Sequence, residues 1–206
     1  MFLPGWGAPA ALYTPLLPSG WLALEPPSFA ASGGGLASYR WWLAHELSVR
    51  GRSIVGGHSM GGALALLAAA EAPSLVERLV LVSPAGLPIT KAPVRSAADF
   101  MRQVARGLYP LRTVASGLAA LSRAPMEALR LAYEVRALDL RRECERVRAH
   151  GVRALVIGCT TDTLVRSESA RTLAAALGAE YRELDITGGH MWMLGHRERL
   201  VESLVG

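Results

Sequence analysis

Gly57-His58-Ser59-Met60-Gly61 carries more structural information than any other stretch of this chain. Residues 52–56 before it are apolar and short enough for a buried parallel strand, and residues 63–70 after it have high helix propensity. A G-x-S-x-G pattern between a strand and a helix predicts a strained turn, the elbow, that exposes one serine hydroxyl. The flanking glycines are needed because side chains there would collide with the neighbouring strand or helix. Ser59 is therefore the predicted nucleophile.

The helix after the elbow has a chemical role as well. The first N–H groups of a helix have no intrahelical partner, and the helix dipole favours negative charge near Ser59. An oxyanion formed on an acyl substrate would be stabilised there. In a chain with 21 glycines the pentapeptide also arises by chance, so its position between strand and helix is what indicates catalysis.

A serine hydroxyl is a poor nucleophile at neutral pH, so the hypothesis requires a histidine that takes its proton and a carboxylate that orients this histidine. Residues 153–158 are expected to form a buried strand, and the loop after it presents Asp162 beyond the strand's carboxyl end. A helix over 167–177 and a strand over 180–186 follow, and the next loop contains His190. We predict that Asp162 is the acid and His190 the base.

The order Ser59, Asp162, His190, each after a predicted strand, resembles the α/β-hydrolase superfamily. The resemblance spans nearly the whole chain. It implies that the three residues form a catalytic triad on successive loops at one end of a parallel sheet.

The same resemblance gives residues 3–7, Leu-Pro-Gly-Trp-Gly, the place of the family's oxyanion loop. By position, the expected oxyanion donors are the backbone N–H groups of Trp6 and Met60. Losing one such donor typically costs about 10² to 10³ in rate. Most family members carry a histidine where this chain has Pro4, so we expect different hydrogen bonding within the loop.

The predicted strands are residues 1–3, 21–25, 52–56, 78–82, 153–158 and 180–186, with helices between them. This alternation predicts an α/β-hydrolase fold with a mostly parallel, doubly wound sheet flanked by helices. The family sheet normally opens with a two-stranded hairpin, for which residues 1–3 leave no room, so about six strands are expected. Without the hairpin, residues 21–25 would lie at the sheet edge, where Pro26 and Pro27 limit further pairing.

At 206 residues and 51% hydrophobic composition, the chain is long enough for one full core and a small insertion. We expect an α/β-hydrolase core over residues 1–84 and 151–206 and an insertion over 85–150. Turn signals open the insertion, and prolines divide it into helix-compatible segments. In the family this interval holds a helical cap over the active site, so three or four short helices are predicted.

The insertion also carries the excess of positive charge, with eleven Arg and one Lys against four Glu and two Asp. Since the whole chain has a net charge of +5, the remainder is almost neutral. A cationic cap would attract an anionic acyl substrate. The stronger interpretation is compositional bias, because Lys91 is the single lysine and the arginines of residues 141–148 alternate with glutamates as on a solvated helix face.

Other classes of function have less support. No helix-turn-helix, zinc finger or basic-aromatic platform is recognisable, so no nucleic-acid partner is expected. No stretch is apolar and long enough for a membrane span, and the N-terminus lacks the basic region of a secretory signal, so we expect a cytoplasmic protein. Reduced thiols are expected at Cys144 and Cys159. The five histidines lack metal-ligand spacing, so neither a metal nor another cofactor is expected.

Two residues compete for the triad roles. His58 lies beside the nucleophile, but its side chain should project away from Ser59, so we expect pocket lining or local packing. Asp185 is close enough in sequence to orient His190, but it lies within or at the end of a strand, which favours Asp162.

Apolar side chains cluster in sequence around the three proposed active-site loops. Trp6, Met191 and Trp192, together with Met60, are expected to line an acyl pocket or to steady the loops as core residues.

The predicted reaction is two-step acyl transfer to water through an acyl-enzyme on Ser59, with a carboxylic ester or thioester as substrate. The family also includes C–C hydrolases, lyases and cofactor-free haloperoxidases that use the same triad, so the motif does not choose among them. The second class is a catalytically weak or noncatalytic binding protein on the same scaffold. Pro4 and the missing hairpin favour that class, and the complete triad opposes it.

Overall fold

A single parallel sheet forms the centre of the molecule, as seen in a computed structural model that describes residues 1–89, 102 and 111–206. Its strands follow one another in chain order: β1 (Phe2–Leu3), β2 (Ser53–His58), β3 (Val76–Val82), β4 (Arg153–Cys159) and β5 (Glu180–Leu184). Every neighbouring pair is parallel, as in the predicted α/β-hydrolase sheet.

Helices connect these strands and cover the sheet. In chain order they are α1 (Ala10–Tyr13), α2 (Phe29–Ser32), α3 (Leu36–Arg50), α4 (Met60–Glu71), α5 (Leu111–Arg123), α6 (Pro125–Ala137), α7 (Arg141–Ala149), α8 (Ser167–Leu177) and α9 (Arg197–Val205). The described residues also contain 3₁₀ segments at Thr14–Leu16, Pro73–Leu75 and Gly189–Leu194.

The strands divide their side chains between two buried clusters. Leu79 and Leu81 of β3 belong to the cluster formed with α3, α4, α7 and α8. Val80 and Val82 belong to the other, which includes residues of α1 and α9. This alternation follows from the two-residue period of a strand and shows that both faces of the sheet are covered. Helix α4 is buried along nearly its whole length because the sheet, α3 and α7 surround it.

The sheet has five strands rather than about six, and the difference lies at its edge. Residues 21–25 form only one parallel bridge, between Phe2 and Ala23. Phe2 N–H donates to Leu22 O at 2.8 Å, and Leu24 N–H donates to Phe2 O at 3.0 Å. No longer ladder forms because β1 itself has two residues and prolines follow residue 25.

The edge segment and β2 lie on opposite sides of β1. After β1 the chain first runs to the edge segment on one side and then crosses to β2 on the other. Such a change of direction leaves a crevice between the two connections, at the carboxyl ends of β1 and β2. In open parallel sheets ligands bind at such a point.

Part of the predicted insertion over 85–150 lies outside the described residues, including Pro93 and Pro110. Within the described part, α5 and α6 precede α7. Helix α7 packs against α4 and α8, with Cys144 and Val147 buried in the core.

Close contacts join helix α6 to the loop after β1 and to the segment before α3. The indole N–H of Trp6 donates to Ala128 O at 3.1 Å, and Leu36 N–H donates to Glu134 Oε2 at 2.7 Å. A Cβ on Gly34 would lie 2.3 Å from Glu127 O, so only glycine permits this approach. The backbone of α6 is thus held directly against the loops beside β1 and before α3.

Candidate active site

The predicted elbow is present, and its serine has a strained backbone. Ser59 lies between β2 and α4 with φ 55° and ψ −118°, a conformation that residues other than glycine rarely adopt. Its N–H donates to Val82 O at 3.0 Å, and its carbonyl accepts from Ala63 N–H at 3.1 Å and Ala85 N–H at 3.0 Å. These bonds on both sides hold the strained turn in place at the carboxyl end of the sheet.

The glycines of the elbow allow three backbone segments to meet. A Cβ on Gly57 would lie 2.3 Å from the carbonyl carbon and oxygen of Gly61. A Cβ on Gly61 would lie 2.1 Å from Leu3 O and 2.5 Å from Pro4 O. The start of α4 therefore packs directly against both β2 and the end of β1, as the small residues of the motif predict.

Asp162 and His190, which are far apart in sequence, form a buried pair. Asp162 lies on the loop after β4, and His190 lies in the 3₁₀ segment after β5. His190 Nδ1 donates to Asp162 Oδ2 at 2.7 Å. The second carboxylate oxygen, Oδ1, accepts from Leu164 N–H and Val165 N–H, each at 2.9 Å. With Nδ1 engaged as a donor, Nε2 of His190 is left with its lone pair, which suits a general base.

Asp185, the competing acid, lies elsewhere. Its Oδ1 accepts from Thr160 Oγ1 at 2.7 Å, and its side chain is exposed. The structure therefore pairs His190 with Asp162 and leaves Asp185 at the surface.

His58 is buried directly against His190 rather than near solvent. Its Nε2 lies 2.9 Å from His190 O, its Nδ1 lies 2.8 Å from Tyr13 Oη, and the two imidazole rings are 4.6 Å apart between centroids. Burial, and secondarily the neighbouring His190, lowers the pKa of His58 well below its ordinary value. His58 is thus packed among buried groups, as predicted for it, and burial favours its neutral form.

The burial of neutral His58 predicts a loss of stability in acid. Below about pH 6.5 the unfolded chain protonates this residue while the folded chain does not, so the free energy of unfolding falls as pH decreases. Urea unfolding between about pH 7 and about pH 5 should show a smaller loss in His58→Leu than in the wild type. Equal losses in the two proteins would contradict this assignment.

The loop that follows β1 lies against the elbow. A Cβ on Gly5 would be 3.5 Å from Ser59 Cβ, and Gly5 N–H donates to Tyr13 Oη at 3.2 Å. The ring of Trp6 packs on Phe29 at 5.3 Å between centroids. Met60 is the first residue of α4, so its backbone N–H has no acceptor within the helix.

A cavity of about 630 Å³ adjoins this loop. Gly5 and Met60 line it close to Ser59, Phe29 lines it from α2, and Ala120 and Arg123 line it from α5. Most of the described residues that line it are small or apolar, while Glu25 and Arg123 are charged.

The residues predicted to line a pocket have different surroundings. Met60 lines the cavity, whereas Trp6 is turned toward α6 and Phe29. Met191 and Trp192 are buried in the cluster that includes α1 and α9, directly after His190 in the chain. Sequence reasoning missed Tyr13, which belongs to no motif, and Phe29, whose proximity to the elbow depends on the tertiary fold.

Residues 1–203 match the model of the alpha/beta hydrolase family. Together with the parallel sheet and the elbow, this match shows that the chain belongs to that family. No curated protein matches the chain.

Solved structures show the same fold at low sequence identity. The esterase EaEST from Exiguobacterium antarcticum aligns with a TM-score of 0.76 at 17% identity, covering 99% of this chain and 90% of that one. BpoC from Mycobacterium tuberculosis H37Rv, described as a non-heme bromoperoxidase, gives 0.69 at 18% identity, covering 99% and 89%. A hydrolase from Pseudomonas aeruginosa PA01 gives 0.65 at 20% identity, covering 100% and 90%. At these identities the likeness establishes the fold alone.

Among the described residues, no helix combines the length and apolar character that crossing a bilayer requires. The same residues contain no group of three or more His, Cys, Asp or Glu side chains placed to hold a metal ion. Cys144 and Cys159 are both buried as free thiols.

Proposed function

We propose that this protein is a serine hydrolase that cleaves a carboxylic ester or thioester through an acyl-enzyme on Ser59. The observation that carries the proposal is the buried hydrogen bond between His190 Nδ1 and Asp162 Oδ2, on loops at the same end of the sheet as the strained Ser59. This bond orients the imidazole and leaves Nε2 able to accept the serine proton.

In the first half of the proposed reaction, Ser59 Oγ attacks the substrate carbonyl carbon as His190 Nε2 takes the hydroxyl proton. The carbonyl oxygen becomes an oxyanion, for which the N–H groups of Trp6 and Met60 are the proposed donors. Asp162 stabilises the imidazolium that forms. The bond to the leaving group then breaks, and His190 returns the proton to the departing alcohol or thiol.

In the second half, water attacks the acyl-enzyme while His190 Nε2 takes one of its protons. The tetrahedral intermediate collapses, the bond to Ser59 Oγ breaks, and the serine recovers its proton from His190. The products are a carboxylic acid and the free enzyme.

The cavity and the helices beside it support an acyl substrate. We propose that α5 and α6 act as a cap, because α5 lines the cavity that also contains Gly5 and Met60. The apolar part of this wall would accommodate an acyl chain, and the described lining residues do not choose between an oxygen and a sulfur leaving group.

A serine-directed fluorophosphonate tests the proposal directly. We expect covalent mass on the peptide that contains Ser59 and none on Ser59→Ala, because only an activated serine hydroxyl reacts. An unlabelled, folded wild type would refute the proposal and favour a noncatalytic binding protein. Hydrolysis rates of p-nitrophenyl esters of graded acyl length then show which acyl length the pocket accepts best. Labelling without ester hydrolysis would point to another reaction of the same triad, such as C–C bond cleavage.

Arg123 is exposed in the last turn of α5 and lines the cavity, which supports the further proposal of an anionic substrate. Hydrolysis of an ester that carries a carboxylate should then fall more steeply with added salt than hydrolysis of a neutral ester of equal size. Arg123→Gln should remove this difference. Equal salt responses in the wild type would eliminate electrostatic attraction of the substrate.

A further inference from the structure

Two buried side chains connect three loops of the candidate active site. Gly5 N–H, on the loop after β1, lies 3.2 Å from Tyr13 Oη. Tyr13 Oη lies 2.8 Å from Nδ1 of His58, at the end of β2. His58 Nε2 lies 2.9 Å from the carbonyl oxygen of His190, in the segment after β5. Tyr13 and His58 are 0% and 1% exposed, so water does not compete for these bonds.

The chemistry of the partners fixes the direction of each bond. The His190 carbonyl can only accept, so His58 Nε2 must carry the hydrogen. Since burial keeps His58 neutral, its Nδ1 is a lone-pair acceptor, and the hydroxyl of Tyr13 must donate to it. The oxygen of Tyr13 then accepts from Gly5 N–H. In this arrangement each of the three bonds joins one donor to one acceptor.

We propose that Tyr13 and His58 form a bridge of positioning residues that aligns the oxyanion loop, the elbow and the base with one another. The proposal rests on the serine hydrolase function proposed above. One end of the bridge holds the residue before Trp6, and the other holds the backbone of His190. The middle of the bridge adjoins Ser59, so all three catalytic elements share one set of hydrogen bonds.

The bridge also supplies an anchor for a loop that has Pro4 at the position before Gly5. A proline has no N–H, and its side chain offers no hydrogen bond. The anchor comes from Tyr13 instead, whose ring packs on Phe2 at 5.4 Å and on His58 at 5.9 Å between centroids. The packing of this ring in the core therefore fixes the position of the Tyr13 hydroxyl.

Removing the Tyr13 hydroxyl separates positioning from packing. Phenylalanine fills nearly the same space, but it leaves His58 Nδ1 and Gly5 N–H buried without these partners. Buried polar groups regain partners only if the loops move, and small displacements of catalytic groups reduce turnover strongly. The expected defect therefore lies in kcat.

The experiment measures kcat and KM for a p-nitrophenyl ester in Tyr13→Phe, His58→Leu and the double variant. We expect kcat to fall about 10-fold in Tyr13→Phe, with KM unchanged within about 2-fold. The double variant should be no worse than His58→Leu, because both substitutions interrupt the same series of bonds.

Tyr181→Phe is the matched control. This tyrosine donates to Ser167 O at 3.0 Å, is half-buried, and belongs to β5 away from the site. Its loss of a hydroxyl should leave kcat within about 2-fold of the wild type. A kcat for folded Tyr13→Phe that matches this control, or losses that multiply in the double variant, would overturn the bridge.

Nitrogen NMR of the histidine rings gives a readout that does not depend on turnover. The bridge requires neutral His58 with its hydrogen on Nε2, and it predicts that Tyr13→Phe alters the Nδ1–H signal of His190. A hydrogen on Nδ1 of His58, or an unchanged His190 signal, would refute the bridge even if Ser59 proved inactive. Conversely, if the fluorophosphonate does not react with Ser59 but the NMR signals are as expected, the hydrolase function is refuted and the bridge is supported.

Discussion

Asp162→Asn should lower kcat for ester hydrolysis by about 10⁴-fold while the protein remains folded. The reason lies in the other carboxylate oxygen, Oδ1, which accepts hydrogen bonds from Leu164 N–H and Val165 N–H. Asparagine must place its single oxygen there, because its amide nitrogen cannot accept. The NH₂ group then faces His190 Nδ1 and forces the imidazole hydrogen onto Nε2. In that tautomer His190 cannot take the proton of Ser59.

The matched control for this substitution is Asp185→Asn, which changes the competing carboxylate by the same atoms. Because Asp185 bonds Thr160 at the surface, its kcat should stay within about 3-fold of the wild type. Equal kcat values for Asp162→Asn and the wild type, both shown to be folded by circular dichroism, would remove Asp162 from the triad.

Gly61→Ala should destabilise the fold by about 3 kcal/mol or more, a loss large enough to reduce soluble yield. The added methyl group would lie 2.1 Å from Leu3 O and 2.5 Å from Pro4 O. Both are backbone atoms of β1 and the loop after it, so neither can rotate away. Relief requires α4 or β1 to move, which would disturb the packing of the sheet. Urea unfolding of the purified variant gives the free energy.

Gly117→Ala provides a control of opposite sign. Gly117 lies inside α5, and among the described residues outside this helix the nearest atom to a Cβ there would be Gly7 O at 4.0 Å. Alanine in a helix interior is favoured over glycine by about 0.5–1 kcal/mol, so this variant should be slightly more stable. If Gly61→Ala unfolds at the same urea concentration as the wild type, the close packing at the elbow is not a requirement of the fold.

The elbow, the sheet and the pairing of His190 with Asp162 were within reach of the sequence. Each depends on a local pattern: a strand run, the residue types that follow it, and the order of these units along the chain. Parallel strands place the residues after them at the same edge, so Asp162 and His190 meet although 28 positions separate them.

The number of strands was harder to predict, because a segment becomes a strand of the sheet only if a neighbouring segment is long enough to pair with it. Residues 21–25 read as a strand by composition, but their partner β1 has only two residues. Trp192 was expected either to line a pocket or to steady the loops as a core residue, and it is fully buried in the cluster that includes α1 and α9. Its neighbours come from elements distant in sequence, so the local pattern could not choose between the two roles.

Tyr13 illustrates what local patterns cannot supply. It lies in a four-residue helix, and only the tertiary fold brings its hydroxyl within 2.8 Å of His58, 45 positions away. The hydrogen-bond partner of a buried polar atom is one of the groups that the completed fold places near it. Such a partner can therefore be identified only once the tertiary fold is known.

Contacts of α6 with Trp6, Gly34 and Leu36 join this helix to the loops beside β1 and before α3, so we expect it to unfold together with them. Detaching it would leave the indole N–H of Trp6 and the N–H of Leu36 without their acceptors and would break the contact at Gly34. Local openings follow the weakest boundaries in a protein, and this boundary carries a hydrogen bond at each end. We therefore expect α6 to stay in place, so that under the proposed function substrate and product would exchange past α5 and the segment around Phe29.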